Sequence, residues 1–302
     1  MEQFRTAIVE TGETEIFVSA GGSGPPLLLL HGFPQTHRMW RGIAPLLGRT
    51  FSVVCADLRG YGSSGCPASA PDHAPYSKRT MAGDMVTVMQ RLGFSSFSVA
   101  GHDRGGRVAY RMALDHPDRI DRLALLDIVP THTAWELADA RFALAFWPWS
   151  LLAQPAPLPE RVLVASAEAI VDHALDAWGS PRHVFPPDVR TEYIDALADP
   201  RHAHAICEEY RASAAIDRAH DAADLAAARR IRCPVLVLWS RDGALGTWYQ
   251  DHGGPMGIWR TWCEDVQGEG VGGGHFFPEE DPAGTADRLT RFFGSGRLRA
   301  GR

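Results

Sequence analysis

One heptapeptide, Gly101-His102-Asp103-Arg104-Gly105-Gly106-Arg107, constrains the fold of this chain more than any other stretch. It follows an apolar run, Phe97-Ser98-Val99-Ala100, and precedes a helical pattern, Val108 to Leu114, that Pro117 stops. Strand, glycine-framed turn and helix together form a nucleophile elbow, in which a strained turn lifts its central side chain clear of a sheet. The central residue here is Asp103. A plainer role for it, capping the following helix, leaves both the Gly-x-Asp-x-Gly frame and the preceding strand unexplained.

Further short apolar runs lead to residues of chemical interest. Leu27–Leu30 enters His31-Gly32-Phe33-Pro34, and Phe51–Ala56 ends at Asp57-Leu58-Arg59-Gly60, read as a structural turn. Leu123–Leu126 delivers Asp127, Val235–Trp239 precedes Ser240-Arg241-Asp242, and a run at 266–271 precedes Gly272-Gly273-Gly274-His275. Residues 5–10 and 14–18 read as a hairpin about Thr11-Gly12, Gly21–Pro26 as a turn, and 78–92 and 282–293 as helices. Apolar strands alternating with helices indicate a parallel sheet covered on both faces. The site of such a sheet lies beyond the carboxyl ends of its strands. His31–Pro34, Asp103, Asp127, Asp242 and His275 are therefore expected to converge. From 130 to 222 the strand signals vanish and helical stretches are broken by Pro148, Pro155, Pro157, Pro159 and Pro186-Pro187. This reads as a helical cap, 130–222, inserted in a core made of 1–129 and 223–302.

Composition narrows the class. With 302 residues, 45 % hydrophobic and 22 % charged, the chain suits one large globular α/β unit with an insertion. A formal net charge of −6 argues against nucleic acid or an anionic membrane as partner. No apolar run approaches the ~20 residues of a spanning helix, and Met1–Arg5 does not open a signal peptide. Five scattered cysteines without a C-x-x-C pair fit reduced thiols and a cytoplasmic setting. His202-x-His204 has the look of a metal pair, but on a helix these side chains diverge and no third ligand is apparent. Gly296–Arg302 reads as a terminal tail.

Aspartate at an elbow selects the chemistry. An alkoxide attacking a tetrahedral carbon leaves an ether, which a water–histidine pair does not cleave; a carboxylate leaves an ester, which it does. Asp103 thus points to displacement at an sp³ carbon, with halide or epoxide oxygen leaving. His275 suits the base that activates water against that ester, and its place last in the nucleophile–acid–histidine order supports the role. Either Asp127 or Asp242 can orient His275, and spacing alone slightly favours Asp242. The backbone N–H groups of Phe33 and Arg104 are the candidates for an oxyanion hole. Arg104 and Arg107, in the first turn after Asp103, are suited to fork a small carboxylate and to keep Asp103 ionised.

The motifs HGFPQTH-x-MW, ADLRGYG-x-S, GHDRGGR, LDIVPT, QPAPLPE, EEYRA and GGGHFF resemble the haloacetate (fluoroacetate) dehalogenases, a branch of the α/β-hydrolase superfamily. The resemblance covers nearly the whole chain. GHDRGGR is its most specific piece, because related epoxide hydrolases usually carry Trp where Arg104 stands. It implies the α/β-hydrolase fold, with a mostly parallel eight-stranded sheet, helices on both faces and an inserted cap. It further implies hydrolysis of 2-haloacetate to glycolate and halide, no metal or organic cofactor, and a homodimer. Asp103 matches the nucleophile, His275 the base, and Asp127, within LDIVPT, the acid, displacing Asp242. Arg104 and Arg107 match the carboxylate clamp, and Trp149 and Tyr210 two of the halide donors.

The third halide donor of the family, a histidine, is Pro148 in this chain. Fluoride is a poor leaving group, and one lost donor costs about 2.7–4 kcal/mol in the transition state. Efficient release of chloride and bromide and weak release of fluoride is the expectation, unless a neighbour such as His132 supplies the missing bond. The nearest rival is an epoxide hydrolase, with Tyr193 and Tyr210 as proton donors; the arginine pair speaks against a neutral epoxide. A non-catalytic receptor for a small carboxylate would not need Asp103, Asp127 and His275 together.

Overall fold

The computed structural model describes residues 4–295; the terminal tail 296–302 lies outside them. Eight strands form one sheet in the order β1-β2-β4-β3-β5-β6-β7-β8. They are β1 (Arg5–Glu10), β2 (Glu15–Gly22), β3 (Pro26–Leu30), β4 (Ser52–Ala56), β5 (Phe97–His102), β6 (Ile120–Leu126), β7 (Val235–Ser240) and β8 (Val266–Val271). Only β2 runs antiparallel to its neighbours, pairing with β1 and β4; β4, β3, β5, β6, β7 and β8 are mutually parallel. The Gly21–Pro26 turn is shorter than its sequence suggests. Gly21 and Gly22 still pair with Val53 and Ser52, and β3 starts at Pro26.

The central strands read as unbroken apolar runs because both of their faces are covered. Leu27 and Leu29 enter one apolar cluster, Leu28 and Leu30 the other. Leu123 and Leu125 likewise separate from Ala124 and Leu126, as the two-residue period of a strand requires. Core helices α1 (Ala44–Leu47), α2 (Lys78–Arg91) and α3 (Arg104–Asp115) precede β6. Between β6 and β7 stand eight α-helices and no strand: α4 (Thr131–Glu136), α5 (Ala140–Ala145), α6 (Trp147–Leu152), α7 (Leu158–Ala165), α8 (Ala167–Ala177), α9 (Pro187–Ala198), α10 (Pro200–Ala214) and α11 (Ile216–Ala226). We refer to this layer as the cap. The chain closes with α12 (Ala244–Trp248), α13 (Gly254–Trp262), α14 (Phe277–Glu280) and α15 (Pro282–Gly294).

Buried ion pairs hold the cap to the core. Arg111 of α3 binds Asp221 at 2.7 Å and Asp224 at 2.5 Å, both on α11, and the Tyr110 hydroxyl donates to Asp221 at 2.7 Å. From β3 the chain passes to β4 on one side and then to β5 on the other. The crevice of such a sheet opens at that reversal, beyond the carboxyl ends of the strands, which is where the cap lies.

Candidate active site

Asp103 sits between β5 and α3 with φ +44° and ψ −115°, a conformation that few residues with a Cβ adopt. The neighbouring glycines permit the turn by close approach. A Cβ on Gly105 would lie 2.4 Å from the His31 carbonyl oxygen, and one on Gly101 2.4 Å from the Gly105 carbonyl oxygen. The Gly105 N–H donates to the His31 carbonyl at 2.8 Å, tying the start of α3 to the end of β3.

The Phe33 N–H donates to Asp103 Oδ2 at 3.0 Å. One carboxylate oxygen is thereby held and the other left for chemistry. Burial alone would raise the Asp103 pKa, but the charges of His275, Arg104 and Arg107 outweigh it and hold the carboxyl below its ordinary range. The group is a carboxylate at neutral pH.

His275 follows β8 and donates from Nδ1 to Asp127 Oδ2 at 2.6 Å. The other oxygen, Asp127 Oδ1, accepts the Ser240 N–H at 2.8 Å. Asp127 has φ +54°, a second strained residue at a strand end. With Nδ1 committed as donor, Nε2 is the basic nitrogen. Burial lowers the proton affinity of His275, yet the hydrogen bond and charge of Asp127, with the charge of Asp103, leave its pKa above the ordinary value. Asp242 is exposed. It lines an outer cavity and makes no hydrogen bond to His275 among the described residues.

An inner cavity of about 30 Å³, counted as space for the centre of a water molecule, joins these groups. Asp103, Asp127 and His275 line it with Arg107, Trp149, Tyr210 and Tyr249. So small a chamber holds the equivalent of two or three waters, at roughly 10–15 Å³ each. A second cavity of about 570 Å³ adjoins it, and Asp127, Phe146, Trp178 and His275 line both.

The two arginines differ. Arg107 lines the inner cavity; its Nη1 donates to the Val129 carbonyl at 3.0 Å and to Thr131 Oγ1 at 3.2 Å, while its Nε is buried without a partner. Arg104 stacks on the Tyr210 ring, 4.0 Å from its centroid, and is bound by Glu209. Its Nη1 is buried without a partner. Arg107 in turn lies 4.3 Å from the Trp149 centroid. Trp149 and Tyr210 thus face the cavity, each with a guanidinium against a ring face.

Pro148 also lines the cavity, in the first turn of α6. His132 and Tyr193 do not line it; the Tyr193 hydroxyl is directed 3.5 Å from Glu279. His202 and His204 face different partners, Gly60 and Cys66 for the first, Ser69 and Glu160 for the second. No group of three or more candidate metal ligands occurs among the described residues. The Asp57–Gly60 turn is held by its own bonds. Asp57 accepts from the His37 and Ser63 N–H groups, and Arg59 forks Asp84 at 2.7 and 2.8 Å.

Sequence reasoning missed Tyr249, Trp178 and Phe146 as cavity walls and Glu209 as the partner of Arg104. The first three stand alone in loops or at helix ends, with no spacing to mark them. Glu209 directly precedes Tyr210 within EEYRA, but a glutamate in mid-helix reads as solvent-facing until the core is seen against it.

The model of the α/β hydrolase fold matches residues 25–282 of the chain. A fluoroacetate dehalogenase from Burkholderia sp is 43 % identical over 98 % of this chain and 96 % of its own. A soluble epoxide hydrolase from Corynebacterium sp. (strain C12) is 32 % identical over 92 % of each. The crystal structure of a Nostoc sp PCC 7120 protein assigned to the α/β hydrolases superposes with a TM-score of 0.94 at 47 % identity, covering 98 % of this chain and 99 % of that one. No helix among the described residues is long and apolar enough to cross a membrane. Fold, elbow and full-length likeness agree: the chain is a hydrolase-fold protein that belongs to the haloacetate dehalogenase-like branch of the α/β-hydrolase superfamily.

Proposed function

We propose that the protein hydrolyses small 2-haloacids, converting haloacetate and water to glycolate and halide. The observation that carries this reading is an ionised elbow aspartate sharing a chamber of about 30 Å³ with an arginine whose Nε lacks a partner. The first feature calls for an alkyl electrophile and the second for an anion, and the volume admits only a short one.

In the first step Asp103 attacks C2 of the substrate. The carbon–halogen bond breaks, halide leaves with the electron pair, and an aspartyl ester forms. Arg107, with Nη1 of Arg104, holds the carboxylate; Trp149 Nε1 and the Tyr210 hydroxyl donate to the departing halide. In the second step His275 Nε2 takes a proton from water, and the hydroxide attacks the ester carbonyl. The Phe33 and Arg104 N–H groups receive the oxyanion. On collapse the ester C–O bond breaks, and the departing alkoxide takes the adduct's hydroxyl proton and leaves as glycolate. Asp103 returns as a carboxylate, and the His275 imidazolium gives its proton to water. Asp127 keeps the imidazole in the tautomer that leaves Nε2 free. Water is the only co-reactant.

Release of halide from fluoro-, chloro- and bromoacetate tests the reading. Chloride and bromide should appear with many turnovers per enzyme, and Asp103→Asn should abolish them. Fluoride should appear more slowly, because Pro148 offers no donor; defluorination within threefold of dechlorination would sink that expectation. A second reading, epoxide opening with the same Asp103 and His275, draws on the likeness to the Corynebacterium sp. protein and on two tyrosines, Tyr210 and Tyr249, in the cavity. Turnover of styrene oxide without halide release from any haloacetate would select it.

A further inference from the structure

Behind the cavity wall lies a buried charge cluster of which the proposed chemistry uses only Arg104. Arg104 and Glu209 are wholly buried and Lys78 nearly so. Arg104 donates from Nε to both oxygens of Glu209, at 2.9 and 2.8 Å, and from Nη2 to Oε1 at 2.5 Å. Lys78 Nζ donates to the same carboxylate, and the Tyr61 hydroxyl lies 3.3 Å from Oε2. Lys78 is itself anchored, its backbone N–H donating to Asp217 at 2.9 Å and its Nζ lying 3.5 Å from that carboxylate. Glu209 rides on cap helix α10, while Tyr61, Lys78 and Arg104 belong to the core. A carboxylate of the cap is thus fixed by three residues of the core.

A guanidinium offers five N–H donors in a rigid plane. With Nε and Nη2 on Glu209, the donors of Arg104 left for another anion are those on Nη1, which is buried and has no partner. The charge of Arg104 also helps to hold Asp103 ionised. Resting on the haloacid reading above, we propose that Glu209, braced by Lys78, is the positioning residue of the substrate-carboxylate clamp. It presents Nη1 of Arg104 to the substrate anion.

Two variants and a neutral isostere separate positioning from mere support. Glu209→Gln breaks the fork and leaves Lys78 without its main counter-charge. The double variant Lys78→Met/Glu209→Gln removes one buried charge of each sign, so the cluster keeps the net charge of wild type and loses less stability than with Glu209→Gln alone. Binding of acetate and of acetamide is measured by calorimetry on wild type and both variants, beside KM and kcat for chloride release from chloroacetate.

Positioning predicts acetate binding at least tenfold weaker in both variants, acetamide binding within threefold of wild type, and KM rising more than kcat falls. Recovery of acetate binding in the double variant would show that only charge balance matters and would overturn the proposal. Equal losses for acetate and acetamide would overturn it as well, since a merely structural residue acts on both. If wild type releases no halide, the haloacid reading fails, while the two binding measurements still decide for or against Glu209.

Discussion

Replacement of Asp127 by Asn should isolate the second step of the proposed hydrolysis. Asp127 accepts two N–H groups, His275 Nδ1–H at 2.6 Å and the Ser240 backbone at 2.8 Å. An asparagine has one oxygen, and the fixed Ser240 donor claims it. The amide NH₂ then faces His275, so Nδ1 must become the acceptor and the proton moves to Nε2. The nitrogen that should take a proton from water already carries one. A wrong tautomer in this arrangement lowers turnover by on the order of 10⁴-fold, or about 5 kcal/mol of barrier. The attack of Asp103 on substrate needs no base and continues. Rapid-quench measurement of chloride from chloroacetate should therefore give a burst of one equivalent per active site and then near arrest, with the aspartyl ester visible by intact-mass spectrometry. Asp242→Asn should turn over like wild type, because Asp242 is exposed and makes no bond to the imidazole. Steady turnover by Asp127→Asn within tenfold of wild type, or an ester that accumulates in Asp242→Asn instead, would refute the reasoning.

Pro148→His should raise kcat for fluoride release by about 10²–10³-fold, the worth of one donor at a developing charge, and chloride release by much less. The first turn of a helix leaves its N–H groups without intrahelical partners, so loss of the proline there disturbs little backbone; equal gains for fluoride and chloride would count against a leaving-group effect. The pH dependence has a definite sign. In the proposed mechanism His275 acts unprotonated and its pKa is raised by Asp127, so steady-state halide release should fall with an acid limb centred above about 6.5. The pre-steady-state burst should stay flat over that range, because the Asp103 pKa is depressed; a steady-state limb centred below pH 6 would contradict the assignment. Gly105→Ala should destabilise the fold by about 3 kcal/mol, the upper end for overpacking, since the new Cβ meets the His31 and Leu30 backbone at 2.4 and 2.6 Å. The shift of the urea midpoint measures it, and an unchanged midpoint would mean that β3 and α3 can separate.

Much of the architecture was legible in the sequence because local signals and burial agree there. Runs such as Leu27–Leu30 and Leu123–Leu126 are apolar on both faces and admit little but central strands of a covered sheet. The elbow was legible for a steric reason: Gly101 and Gly105 stand where no Cβ fits, and a carboxylate between them is rarely anything but a displayed group. Which acid partners His275 was not legible from spacing. Asp127 and Asp242 both end strands, and only the path after β8 brings the imidazole to Asp127 and leaves Asp242 facing solvent.

The sequence by itself therefore determined the sheet and its fold class, because these follow from periodicity and from local steric rules. Tertiary structure decided the division of labour among like residues. It placed Arg107 on the cavity and Arg104 against Glu209, and it brought Tyr249 rather than Tyr193 into the chamber. Those outcomes depend on how the cap meets the core, a contact between segments about a hundred residues apart, such as Arg104 and Glu209. No local pattern encodes such a contact, because the charged partners carry no mark of one another until burial removes water and forces each to find its counter-charge.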